Sequence, residues 1–171
     1  MRVKLKNHPI IINSMKNYLN EEVAELLGAF IGDGWISSNK KSFFIAGDMK
    51  EDRRYYENVL CPLFSKNFTT ITPKEFPYWS VYGICCSKKE TIKILLELGF
   101  QEGKKCYSVS IPSWVCHSSK NIKIALLRGL FDTDGSFWCE QSRAKTSTPW
   151  KRKYHYHPEI KISSCSRQLL E

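Results

Sequence analysis

Residues 23–34 read VAELLGAFIGDG, and residues 124–135 read IALLRGLFDTDG. The two stretches align without gaps at a constant offset of 101 residues, from 33 to 134. That offset carries Ala24 onto Ala125, Leu26 onto Leu127, Gly28 onto Gly129, Phe30 onto Phe131, Asp33 onto Asp134 and Gly34 onto Gly135. Agreement this dense in so short a window marks an internal repeat, and a repeat implies one structural unit used twice.

Both stretches have helical periodicity. Val23, Leu26, Leu27, Phe30 and Ile31 fall at i, i+3, i+4, i+7 and i+8, one apolar face. Asn20 is placed to cap this helix, with Glu21 and Glu22 in its first turn. In the second copy Ser118 or Ser119 serves as cap. Ile124, Leu127 and Phe131 make one apolar row, and Ile122, Leu126 and Leu130 another. Gly34 and Gly135 read as C-terminal helix glycines.

A second stripe is made of small residues at a spacing of four: Ala24, Gly28 and Gly32 in one helix, Ala125, Gly129 and Thr133 in the other. A glycine inside a helix costs about 0.5–1 kcal/mol relative to alanine. Close approach of two helix backbones is a reason to keep it. Facing stripes at Gly28, Gly32, Gly129 and Thr133 would set the helices against each other and bring Asp33 beside Asp134.

Outward from the first helix, Trp35–Ser38 and Ser42–Gly47 read as a hairpin. Asp52 is placed to cap a helix through Tyr55, Tyr56, Val59, Leu60, Leu63 and Phe64. Thr69–Phe76 and Trp79–Cys86 read as a second hairpin, and Ser87 as the cap of a helix closed by Gly99. A connector runs from Gln101 to His117. After Gly135 come a strand Ser136–Gln141, a long basic loop, a strand Glu159–Ser164 and the start of a helix at Ser166. The expected fold is a duplicated αββαββα unit of the α+β class, with a pseudo-two-fold axis and an incomplete second copy. It divides into an N-terminal extension (1–19), a first half (20–118) and a partial second half (119–171).

Lys and Arg number 26 against 17 Asp and Glu, a net charge of +9 on 171 residues. Such a surplus points to a polyanionic partner, nucleic acid before membrane. The seven cysteines are odd in number and form no Cys-x-x-Cys pair, which fits reduced thiols better than a disulfide framework or zinc knuckle. No apolar run matches a bilayer span, and no signal peptide is visible. The expectation is an intracellular protein, cytoplasmic or in the nucleoid, with no membrane partner.

Two carboxylates held close together repel, and one of them should titrate late. A Mg²⁺ ion, or another divalent cation, removes the conflict, because it favours one or two carboxylates completed by water and phosphate oxygens. Asp33 and Asp134 are therefore the expected metal ligands. A single Asp-Gly is a common turn dipeptide. Two in register, each behind a glycine-bearing helix, argue for a site.

The segments LLGAFIGDG (26–34) and LRGLFDTDG (127–135) resemble the paired signature motifs of the LAGLIDADG homing endonuclease family. The resemblance covers about residues 20–171 and is closest to the single-chain, two-motif type. An earlier motif acid is present as Asp132 but replaced by Ile31 in the first copy. The resemblance implies a site-specific double-strand DNA endonuclease for intron homing, hydrolysing phosphodiesters at a metal held by Asp33 and Asp134. It implies that Lys105, or its neighbour Lys104, orders water at the centre, with Arg53 as a weaker catalytic candidate. A long pseudo-palindromic duplex is the implied substrate, and a monomer the implied state of a full-length chain.

In that family two antiparallel sheets lie along the major groove, where a β-ribbon can read base edges. The implied DNA-binding residues are Trp35, Lys40, Lys41, Lys74, Tyr78 and Trp79 in the first half. In the second they are Arg143, Lys145, Lys151, Arg152, Lys153, His155 and Lys161. Two alternatives share the scaffold: a DNA- or RNA-binding protein, such as an intron RNA maturase or a regulator, and an inactive truncated fragment.

Overall fold

The structure, a computed structural model, describes residues 15–143 and 154–170. It is an α+β fold whose first strands run directly off the ends of two long helices. Helix α1 (Glu21–Asp33) starts at Asn20, whose side chain accepts the Val23 N–H at 2.9 Å. Strand β1 (Gly34–Ile36) follows without a gap and pairs with β2 (Phe43–Asp48). Helix α2 begins as Arg53–Tyr55, passes through a π-helical turn (Tyr56–Leu60) and ends as Cys61–Asn67. Strands β3 (Lys74–Phe76) and β4 (Val81–Cys86) complete a four-stranded antiparallel sheet in the order β1-β2-β4-β3.

Helix α3 (Lys89–Glu97) closes the first unit at Gly99, whose φ of +96° is the left-handed conformation that glycine adopts freely. A one-turn helix α4 (Ser113–Cys116) leads into α5 (Lys120–Asp134). The hairpin of β5 (Gly135–Arg143) and β6 (Tyr154–Ile162) is a separate two-stranded sheet, and a short α6 (Arg167–Leu170) follows it. The order strand, strand, helix thus follows both motif helices.

The core sits between α1, α2, α3 and the inner face of the four-stranded sheet. Phe30 stacks on Phe43 at 5.7 Å between centroids, Phe43 on Phe64 at 5.1 Å, and Phe100 tilts against Phe30 at 5.1 Å. Along β1 and β2 the alternation sends Ile36, Phe43 and Ile45 inward, all fully buried, while Trp35 faces out. Tyr18, at the edge of the N-terminal segment, stacks on Phe68 at 5.5 Å.

Several local expectations are corrected. Gly34 and Gly135 have φ near −85° and extended ψ, so neither is a left-handed cap. Glycine is needed there for space, because a Cβ would lie 2.1 Å from the Phe30 ring at Gly34 and 2.2 Å from the Phe131 ring at Gly135. Ser87 does not cap α3; Lys88 holds that position, with no side-chain cap. The Asp52 side chain accepts the Asp48 N–H at 2.7 Å and leaves the start of α2 uncapped. Strand structure in Thr69–Phe76 is confined to Lys74–Phe76, and Pro77–Trp79 form a 3-10 turn, since a proline cannot donate to the ladder. Strand β6 begins well before Glu159, so His155 belongs to a strand and not to the loop.

In α5 the row of Ile124 and Leu127 does not join the core; these side chains are 46% and 50% exposed. The buried positions are Ala125, Leu126, Gly129 and Leu130, which face α1. The second hairpin shows the same asymmetry. Phe137 and Ile160 pair across it as Ile36 and Phe43 do across the first, yet they are 65% and 71% exposed. Among the described residues, no helix is long and apolar enough to cross a membrane.

Candidate metal centre

The small-residue stripes of α1 and α5 lie against each other. A Cβ on Gly28 would stand 2.0 Å from the Leu126 carbonyl oxygen, and one on Gly129 would stand 2.0 Å from that of Glu25. At the next turn Gly32 abuts Thr133, where a Cβ would be 2.1 Å from Oγ1. Only bare backbone permits this approach. A pair of side chains crosses the seam: Arg128 donates to Glu25, which is buried although charged.

Because the helices cross this tightly, their C-terminal ends arrive together, and so do Asp33 and Asp134. A Cβ on Gly32 would be 3.1 Å from Cγ of Asp134. The Asp33 carboxyl is pushed up to about 6, first by burial and then by the charges of Asp134 and Asp52, with Lys105 pulling the other way. Asp134 is also raised, by burial, and is also opposed by Lys105.

Lys105 comes from the connector after α3. Its Nζ donates to the carbonyls of Ile31 and Gly32, at 2.5 and 2.7 Å. These belong to the last turn of α1, where carbonyls lack helical partners and carry the negative end of the dipole. Lys105 therefore caps α1 and counters both aspartates at once. Burial holds its ammonium below the usual lysine range, and Asp134 and Asp33 oppose that shift. Lys104 is exposed.

Arg53 does not join this group. It pairs with Glu75 and Glu57, and its guanidinium lies 4.3 Å from the Tyr82 ring centroid. Asp132, the other motif acid, faces Tyr55 and the Glu25–Arg128 pair.

Two residues at the centre escape the motif reading. A Cβ on Gly47 of β2 would be 2.3 Å from Oδ2 of Asp52 and 3.4 Å from Oδ2 of Asp33. Both carboxylates thus stand over one bare backbone position. Tyr56 is 1% exposed, and its hydroxyl has no hydrogen-bond partner. Burial, Asp33 and Asp52 all push that hydroxyl's pKa upward. In the sequence Asp52 passes for a helix cap and Tyr56 for a core aromatic. The signal that could have found Tyr56 is a polar aromatic at a buried helical position, whose hydroxyl must find a partner.

The donor set fits an oxygen-preferring cation: two carboxylates brought together at a cost that a positive charge would relieve, beside a buried hydroxyl lacking a partner. Among the described residues, no three His, Cys, Asp or Glu side chains form one cage. A cation here would thus take only part of its shell from protein, as Mg²⁺ does.

The residues expected to meet DNA separate into groups. Tyr78 and Trp79 are 92% and 61% exposed at the β3–β4 turn, and Lys74 is exposed beside them with its Nζ 5.2 Å from the Phe76 ring. Trp35 is half-exposed on the outer face of the sheet, and Lys41 is exposed. Lys40 is tied to Glu102 at 3.1 Å. Lys161 is exposed and pairs with Glu159 at 2.8 Å. Arg143 and His155 lie on β5 and β6. Lys145, Lys151, Arg152 and Lys153 lie outside the described residues.

Fold and site thus define an α+β protein with a paired-aspartate centre at the crossing of two glycine-striped helices. No family model matches the chain. It is 35% identical over 134 residues to the replication factor C small subunit of Methanocaldococcus jannaschii, an alignment covering 77% of this chain and 7% of that protein. The similarity thus concerns one small segment of a far longer chain. The relative carries the name of a replication protein, which corrects the expectation of an intron-homing double-strand endonuclease. That activity, with its maturase and regulator variants, is withdrawn.

Proposed function

We propose that this chain is a DNA-binding module that holds a divalent cation, Mg²⁺ in the cell, between Asp33 and Asp134. The observation that carries this reading is the meeting of two late-titrating carboxylates at the ends of two helices in backbone contact, opposed by one lysine. Bound there, the cation would supply a Lewis-acidic bridge to backbone phosphate oxygens. The chain's own residues do the rest: Gly28, Gly32, Gly129 and Thr133 fix the separation of the aspartates, and Lys105 orients the end of α1.

The DNA reading rests on the +9 charge, on the exposed aromatic and basic side chains of β3, the β3–β4 turn and the β1–β2 hairpin, and on the replication-protein name of the relative. Duplex DNA is the partner of first choice. On this reading the chain is built as an αββαββα unit at 20–118 and a partial copy of it at 119–171, behind an extension at 1–19. This is the arrangement that the resemblance to LAGLIDADG proteins implies.

The test is fluorescence anisotropy with a labelled duplex across a salt series, with and without Ca²⁺ or Mg²⁺. Affinity should fall steeply with salt and rise with the cation. Asp33→Asn/Asp134→Asn should retain salt-dependent binding and lose the cation effect. Absence of duplex binding, or a cation effect intact in the double variant, would reject the proposal.

A further inference from the structure

We infer that Asp33 serves two neighbouring cation positions: the one it shares with Asp134, and a second that it shares with Asp52, where the Tyr56 hydroxyl holds a ligand water. The inference rests on the reading of the first position given above.

The geometry starts at Gly47. The carboxylates of Asp33 and Asp52 both approach the space that a side chain at this residue would fill. Asp52 is held there by accepting the Asp48 N–H. That bond uses part of one oxygen's capacity, and a carboxylate offers about four lone-pair sites. The three acids do not converge on a single point among the described residues. They form two pairs with Asp33 common to both.

Tyr56 supplies the independent sign of a ligand. Its side chain is almost wholly buried in the π-helical turn of α2, close to Asp33 and Asp52, and its hydroxyl has no partner. Buried hydroxyls are nearly always paired, because an unpaired one forfeits its hydrogen bonds to water. A water on a cation between Asp33 and Asp52 would pair it. The π turn widens the helix by one residue at this place, a distortion frequent at functional sites. The chemical class is an oxygen-preferring divalent ion such as Mg²⁺, Mn²⁺ or Ca²⁺.

The test is Mn²⁺ titration of the full chain, followed by calorimetry and by the electron-spin signal of free Mn²⁺. Wild type should bind two ions. Asp52→Asn keeps an acceptor for the Asp48 N–H, so without metal it should melt no lower than wild type, and it should bind one ion. Asp134→Asn should lose the other. Tyr56→Phe should weaken only the second position, by about tenfold, as removal of an outer-shell partner does; a purely structural tyrosine would leave both affinities unchanged. One ion, lost in Asp134→Asn and unaffected by Asp52→Asn, overturns the second position and leaves the first standing. One ion, lost in Asp52→Asn and unaffected by Asp134→Asn, supports the second position and rejects the first. No ion bound by wild type rejects both.

Discussion

Gly28 and Gly129 are reciprocal: each presses its bare Cα against the backbone of the other's helix, one over the Leu126 carbonyl and the other over that of Glu25. The contact is backbone to backbone on both sides, so no rotamer change can relieve an added methyl group. Gly28→Ala and Gly129→Ala should each destabilise the protein by about 1–3 kcal/mol or more, the range for overpacked sites, as measured by urea unfolding. At Gly32 the nearest atoms belong to the Thr133 side chain, so Gly32→Ala should recover part of its loss in combination with Thr133→Gly.

The Asp33 carboxyl is raised from 3.8 to about 6 in the folded protein. Between those values the folded state binds more protons than the unfolded state, so this group lowers stability as pH rises through the window. In chelator-containing buffer, Asp33→Asn should melt higher than wild type at pH 7.5. The gap should close as pH falls below 3.8, where Asp33 is protonated in the folded and the unfolded protein alike. Added Mg²⁺ should raise the wild-type melting temperature at pH 7.5 and do little at pH 4.5. A variant gap that stays constant with pH would refute the burial and repulsion argument.

Lys105 donates two charge-assisted hydrogen bonds to the carbonyls that end α1. Lys105→Met should cost about 1.5–3 kcal/mol, the range for hydrogen bonds to charged groups, and should raise the protonation of Asp33 further by removing the opposing charge. Lys104→Met, at an exposed neighbour, should stay within about 0.5 kcal/mol of wild type. Denaturant midpoints check the first point, and carboxyl titration by NMR the second.

Ile36 and Phe137 hold matching places in the two hairpins, one fully buried and one mostly exposed. Ile36→Ala should cost about 2–5 kcal/mol by leaving a cavity. Phe137→Ala should change stability by no more than about 0.5 kcal/mol. Equal losses, measured by chemical denaturation, would mean that the second hairpin is covered in solution.

The helix pair was legible because glycines four residues apart weaken a helix unless another backbone packs against them. The in-register Asp33 and Asp134 were legible because the repeat fixed their common place. Lys105 was reached through resemblance, and its capping bonds emerge only once the connector folds back on α1. Arg53 was misplaced because adjacency in sequence cannot say which carboxylate a long side chain meets, and Glu75 and Glu57 are the ones within reach. Gly34 and Gly135 end their helices because a Cβ would strike the Phe30 and Phe131 rings, a contact that the helix-ending pattern in the sequence does not reveal.

By itself the sequence determined what is periodic and local: a repeated helix that ends in aspartate and glycine, the strands behind it, the excess of positive charge. Tertiary structure alone decided what depends on approach between distant segments. It set Asp52 and Tyr56 beside Asp33, buried one apolar face and left its counterpart open, and gave Lys105 to the end of α1. Periodicity is written into neighbouring residues, whereas burial and charge pairing depend on which surfaces the folded chain brings together.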